Sequence, residues 1–292
     1  MSRRSSGAVV VGLDPSADSR AALVWAADEA ERRGATLRIG HSWNLEAYRL
    51  PRADLAEIAE PARNAAWTLL EQAADQARQR HPGLPVEPEL IEEPPVEGLL
   101  RMAATDADVV VTGRRGLHGF RTFLLGSVSR GVVAHAPVPA VVVSHGGTPR
   151  THGPVVLGVA PESDTPVDFA FGQAEMRGVP LVAVRAWTRP QPATGHRFLL
   201  PRDAEQRTKE EAADLDRLLA PARAAHPGVA VITRVVAAVP EQAIVESAQD
   251  ACLVVVGAHR RLTRFGLPIG RVPQRVMHAA PCPVAVVPQP RR

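Results

Sequence analysis

The stretch VVVTGRRGLHGFRTFLLGSVSRGVVAHAPVPAVVV, Val109–Val143, decides how the chain folds. Two valine-rich runs bracket three glycines and a serine in the spacing G-x2-G-x9-G-S, at Gly113, Gly116, Gly126 and Ser127. Short, near-continuous apolar runs such as Val109–Val111 suit strands of a parallel sheet covered on both faces. The glycines let the backbone turn sharply after the strand with its amide groups outward. Gly126 and Ser127 open a helix, whose first N–H groups lack intrahelical partners and favour an anion. Each feature also has a plain reading: glycines after a strand make a turn, and a serine before a helix serves as a cap.

Working outward, the same pattern returns as LVVVGAHRRLTRFGLPIGRVPQRVMHAAPCPVAVV, Leu253–Val287, with Arg260 for the middle glycine and Arg271 for the serine. An offset of 144 to 146 positions brings the halves of the 292-residue chain into register. AVVVGLD (Ala8–Asp14) then meets PVVLGVA (Pro154–Ala160), and RRGATLRIGHSW (Arg32–Trp43) meets MRGVPLVAVRAW (Met176–Trp187). HPGLPVEPEL (His81–Leu90) meets HPGVAVITRV (His226–Val235). A repeat this long means two tandem domains rather than a solenoid. We expect a first domain over 1–146, a Gly/Pro-rich linker over 147–153, and a second domain over 154–292.

In the first half, strands are expected near 8–13, 36–43, 85–91, 108–112 and 138–143, and helices near 17–33, 54–80, 95–105 and 127–135. Leu55, Ile58, Ala62, Ala66, Leu69, Ala73 and Ala77 keep helical spacing, and Pro61 should start or kink their helix. Strand–helix alternation gives an α/β fold: two doubly wound domains, each a five-stranded parallel sheet with helices on both faces. Ligands of such sheets bind beyond the carboxyl ends of the strands, where the winding reverses. Asp14 follows the first strand and Gly113 the fourth, so a carboxylate and the glycine loop would face one crevice. Ionised Asp14 accepts hydrogen bonds, which suits ribose hydroxyls or an exocyclic amine and not a phosphate.

Composition narrows the choices. Apolar content is 45%, charge 22% and aromatics 4%, so the chain is globular with a Val/Leu/Ala core. Net charge is +3 with no basic–aromatic cluster, which argues against a nucleic-acid partner. Lys209 is the sole lysine, so no Walker-type phosphate loop is present. Cys252 and Cys282 read as small buried thiols of a reducing compartment. The opening MSRRSSGAVVVGLD has too short an apolar run for an export signal, and no segment has the length of a membrane span; a cytoplasmic location is expected. The ten histidines show no metal-ligand spacing. His118 is the best acid/base candidate in the glycine loop and reads more simply as a solvated loop residue.

The residues carry a family likeness. VVVGLDPSADSRAAL, TGRRGLHGFRTFLLGSVS and the closing HAPVPAVVV make the chain resemble a tandem universal stress protein, over nearly all of both halves. The resemblance implies the adenine nucleotide alpha hydrolase-like (Rossmann-like) fold, with domains paired to each other or in a homodimer. It implies ATP, accompanied by Mg2+, in the first domain. Adenine and ribose would be met by Gly12, Leu13, Asp14 and a group near Ser42. The phosphates would be met by Thr112, Gly113, Arg115, Gly116, Gly126, Ser127 and Val128. Neither a catalytic residue nor a protein metal ligand is implied, and the expected role is stress response or ATP-dependent signalling. A slow ATPase and a nucleotide-free scaffold are the competing readings. The second domain departs at Ala160 (for Asp14), Arg260 (for Gly116) and Arg271 (for Ser127). Its remaining glycines, Gly257 and Gly270, either keep the loop's shape or leave the two arginines to hold an anion.

Overall fold

The structure is a computed structural model that describes residues 7–43, 52–114, 125–146, 152–161, 164–188, 201–259 and 269–289, excluding the side chains of 52–57, 201–202 and 259. It divides into two compact units, Met1–Gly146 and Gly147–Arg292.

The first unit runs β1 (Ala8–Gly12), α1 (Ala17–Arg33), β2 (Thr36–Ser42), α2 (Arg52–Arg80), β3 (Val86–Ile91), α3 (Pro95–Thr105), β4 (Ala107–Gly113), α4 (Ser127–His135) and β5 (Ala140–Val143). Its strand order is β3-β2-β1-β4-β5, with every pairing parallel. Val9, Val10 and Val11 of β1 and Val109, Val110 and Val111 of β4 are fully buried, as the valine runs require. Burying each such side chain is worth about 1.5–3 kcal/mol. Helix α1 turns Ala22, Leu23, Ala26, Ala27 and Ala30 inward. These small side chains let the helix axis lie close to the sheet.

The second unit repeats the plan: β6 (Val155–Gly158), α5 (Asp164–Arg177), β7 (Leu181–Trp187), α6 (Pro201–Ala225), β8 (Val231–Ala237), α7 (Pro240–Ser247), β9 (Leu253–His259), α8 (Arg271–Ala279) and β10 (Val284–Gln289). Its order is β8-β7-β6-β9-β10, again all parallel. The α/β fold with five parallel strands per unit is therefore as the sequence led us to expect. One local device is also repeated. Gly34 ends α1 at φ 61° and Gly178 ends α5 at φ 63°, the left-handed region that favours glycine.

Two details differ from expectation. Helix α2 begins at Arg52 and runs through Pro61, so that proline does not start it. The buried stripe of α2 is Ala66, Leu70, Ala73, Ala74 and Ala77, with Leu69 only half-buried, because the helix presents a wider face than one a/d-type row. Cys252 and Cys282 are buried and unbridged. Among the described residues no helix is long and apolar enough to cross a membrane.

Candidate functional site

In the first unit the winding reverses at β1, which lies between β2 and β4. Val11 pairs with Val111, so Asp14 and Gly113 leave the same end of adjacent strands. Asp14 is half-buried and begins a turn into α1: its Oδ1 accepts the Ser16 N–H at 2.9 Å. Its own N–H donates to Ser19 Oγ at 2.8 Å. A Cβ placed on Gly113 would lie 2.7 Å from the backbone nitrogen of Ser19 and from the carbonyl carbon of Asp18. Ser19 thus joins the two, and only a glycine lets β4 end this close to α1. The plain turn at Asp14–Ser16 exists, yet it uses one carboxylate oxygen of the two.

Two helix N-termini flank this point and differ. Ser16 caps α1 by accepting the Ser19 N–H at 3.1 Å. Helix α4 begins after Gly126 with no side-chain cap, and Ser127 is exposed while Val128 is half-buried. The start of α4 is anchored instead by Ser129, whose Oγ donates to the Gly113 carbonyl at 2.6 Å. The Gly126 N–H donates to the Arg114 carbonyl at 2.8 Å, which closes the neck of the glycine loop. Arg115, Gly116 and His118 lie outside the described residues, as does Arg260 in the second unit.

The other expected site residues fall nearby with specific duties. Gly12 ends β1, where an added Cβ would meet Leu99 Cδ1 at 2.7 Å. Leu13 is buried; its N–H donates to the Gly40 carbonyl and its own carbonyl contacts His41 Nδ1, both at 2.8 Å. Ser42 directs its hydroxyl to the Glu93 carbonyl at 2.8 Å, so the side chain is engaged with the connection after β3. Thr112 is buried one residue before the loop. Trp43, just past β2, has an indole Nε1 that is buried without a hydrogen-bond partner. Sequence reading missed Ser19 and Ser129 as braces, since a serine's partner across a fold leaves no mark in local sequence.

The second unit holds a cavity of about 740 Å3 at the corresponding strand ends, floored by Gly158 and Ala160 after β6 and by Val256 and Gly257 of β9. Arg185 and Trp187 of β7, the face of α6 and Gln289 of β10 complete it. Arg185 Nε donates to Glu211 Oε2 at 2.6 Å with both side chains nearly buried, and Arg207 reaches Glu211 Oε1 at 2.6 Å. Arg271, opening α8, does not stand alone: its Nε and a terminal nitrogen donate to Glu241 Oε1 at 3.0 and 2.8 Å. Burial pushes the Glu241 carboxyl up, but its backbone hydrogen bond and Arg271 together hold it below the usual value. That pairing answers the dipole penalty of a cation at a helix N-terminus.

A family model described as "Universal stress protein family" matches residues 6–144 and again 153–288. A universal stress protein of Mycolicibacterium smegmatis is 35% identical over 293 residues, covering 96% of each chain. One from Mycobacterium tuberculosis is 33% identical over 298 residues, covering 95% of this chain and 94% of that one. The crystal structure of a universal stress protein from Archaeoglobus fulgidus superposes with a TM-score of 0.70 at 19% identity, covering 97% of both chains, and so speaks for the fold.

Proposed function

The chain belongs to the universal stress protein family, with the family's domain found twice, and from that premise we propose that its first unit binds ATP and serves a stress response or ATP-dependent signalling. The observation that carries this reading is the convergence of Asp14 and Gly113 through Ser19 beside the uncapped start of α4. A carboxylate suited to ribose hydroxyls and a row of bare N–H groups suited to phosphate then share one crevice.

In this reading Gly12, Leu13 and Ser42 frame the adenine through backbone and close approach, and Asp14 holds the ribose. Thr112, Gly113, Arg115, Gly116, Gly126, Ser127 and Val128 surround the phosphates. Mg2+ travels with the phosphates, offsetting their charge rather than drawing on a carboxylate cluster of the protein. Hydrogen bonds to charged groups contribute about 1.5–3 kcal/mol each. A few of these, with the α4 dipole adding up to about 2 kcal/mol, suffice for the roughly 8 kcal/mol of micromolar affinity.

Calorimetry on the full chain tests it. ATP with Mg2+ is expected to bind the wild type at about micromolar Kd, and Asp14→Ala to weaken binding at least about tenfold, the loss of a charge-assisted hydrogen bond. Absence of heat with the wild type, or equal affinity in Asp14→Ala, would sink the reading.

A further inference from the structure

The chain has two cysteines, and both stand in the second unit where two neighbouring strands begin. Cys252 immediately precedes β9, and Cys282 stands two residues before β10. These strands run parallel with Val254 opposite Val284, and the Val254 N–H donates to the Pro283 carbonyl at 2.9 Å. Continued two residues back along both strands, this register sets Cys252 opposite Cys282. Adjacent strands lie about 4.8 Å apart, inside the Cα separation of about 4.4–6.8 Å that a disulfide spans. Register partners in a parallel pair leave the same face of the sheet, so the two thiols share a side.

Both positions are set by their neighbours. The Cys252 N–H donates to the Pro154 carbonyl at 3.0 Å, which ties it to the start of β6. Cys282 lies between Pro281 and Pro283, and a residue before proline is kept extended, which carries the strand direction backwards. Each cysteine sits in a bend outside the ladder, so the Cβ atoms can approach without breaking a β9–β10 hydrogen bond. The first unit shows that packing alone does not call for such a pair. There Val110 is opposite Ala140, and the same two points are Asp108, which is exposed, and Val138, which is half-buried. The units differ at both points at once, and cysteine is used nowhere else in the chain.

We propose that Cys252 and Cys282 are a redox pair, which a hydroperoxide oxidises to a disulfide joining the entries of β9 and β10 and a dithiol reduces again. One sulfur, as thiolate, attacks the hydroperoxide ROOH; the O–O bond breaks, ROH leaves and the cysteine becomes a sulfenic acid. The other sulfur attacks that sulfenic sulfur, the S–S bond forms and water leaves. Two thiols and ROOH thus give one disulfide, ROH and water: the sulfurs lose two electrons and the peroxide oxygens gain them. Each cysteine is only 7% exposed, which favours a small oxidant such as hydrogen peroxide. The bond lies at the amino ends of its strands, away from the carboxyl-end crevices, and does not depend on nucleotide binding in the first unit.

The test treats the reduced full chain with hydrogen peroxide and counts thiols by alkylation in denaturant followed by mass spectrometry. Two alkyl groups are expected before peroxide, none after it and two again after dithiothreitol. Digestion of the oxidised monomer should yield a peptide linked through Cys252 and Cys282. The bond restricts the unfolded chain across residues 252–282, so oxidation is expected to raise the melting temperature by about 5 °C or more. Cys252→Ser and Cys282→Ser should both lose that rise, and at least one should stop at a sulfenic acid that dimedone traps. Thiols that stay alkylatable after peroxide overturn the proposal, as do sulfinic acids or bonds between chains in place of the internal one. A linked peptide with an unmoved or lowered melting temperature overturns it too, since the bond would then have formed against the native register. So does a rise that persists in either serine variant. ATP binding by the first unit is read separately by calorimetry, and its failure leaves this result untouched.

Discussion

At the end of β1 the first unit carries Asp14, and at the corresponding end of β6 the second carries Ala160. The start of α4 is an exposed serine, whereas the start of α8 is an arginine bound to Glu241. Along the second strand of each sheet, His41 contacts the Leu13 carbonyl, while its counterpart Arg185 is held by Glu211 from α6. The backbones follow one plan, and a tryptophan stands at the end of that strand in both, Trp43 and Trp187, each with a buried indole nitrogen lacking a partner. What has changed is the sign and availability of charge around it. In the proposed reading the first unit leaves a carboxylate oxygen and the start of α4 for a ligand, whereas in the second unit Arg185, Arg207 and Arg271 are paired with Glu211 and Glu241. One scaffold thus presents two chemistries, because the strand ends tolerate replacement while the valine core does not.

The largest break in this comparison should come from Glu211→Ala. It leaves Arg185, only 8% exposed at its side chain, without its closest carboxylate. A buried charge stripped of its partner costs about 3–5 kcal/mol. His41→Ala in the first unit loses one hydrogen bond and should cost about 1 kcal/mol. Urea unfolding of both variants measures the contrast, and equal midpoints would show that Arg185 is not a charge the fold depends on.

Next come the paired glycines at the ends of β4 and β9. Gly113→Ala forces a Cβ to within 2.7 Å of the backbone of α1, which cannot step aside cheaply. About 1–3 kcal/mol is expected from such overpacking. Gly257→Ala meets mainly the Gln289 side chain, with the Pro166 ring at 2.9 Å, and the carboxamide is free to swing away. A smaller loss is expected there. Thermal melts of the two variants sharpen the comparison, and a larger loss at Gly257 would reverse it.

The smallest effect concerns the packing of α1 against the end of α2. Asp28 accepts hydrogen bonds from Arg80 Nε at 2.5 Å and from His81 Nε2 at 2.8 Å, while the second unit keeps a histidine–carboxylate pair, His226 with Glu175, at 2.8 Å. Burial pushes the Asp28 carboxyl up, but the Arg80 and His81 hydrogen bonds outweigh it and hold the group below the ordinary carboxylate value. A depressed carboxylate stabilises above its unfolded pKa of about 3.9 and loses that contribution as pH falls through the folded value. Asp28→Asn should therefore lower stability at pH 7 by under about 1 kcal/mol, Arg80 being half-exposed. The gap to wild type should narrow as pH falls through the lowered pKa of Asp28, read by melting temperature across the range. A gap that stays constant would mean the charge contributes nothing.

Much of this molecule could be read from the chain because its signals are local. The valine runs placed β1 and β4, and Gly126 and Ser127 placed the start of α4. Pro61 does not start its helix, because α2 begins at Arg52 and carries that proline inside it, at the cost of the hydrogen bond its missing N–H would have made. Leu69 misled because one row of apolar residues does not reveal which way a wider helix face is rotated, and it is Leu70 that is fully buried. Least legible was the second unit's cavity. Only folding sets Glu211 of α6 against Arg185, 26 positions away, and brings Trp187 and Gln289 into the lining of that cavity.

Arg114 and Gly126 are fastened to each other by a backbone hydrogen bond, and Ser129 of α4 ties the same point to Gly113. Such a clasp separates the history of the segment beyond it from that of the sheet. Lengthening a segment whose ends are already pinned costs entropy only logarithmically, about 0.6 kcal/mol per doubling. Residues there are therefore open to exchange over evolutionary time, and a new specificity can be tried without the fold being put at risk.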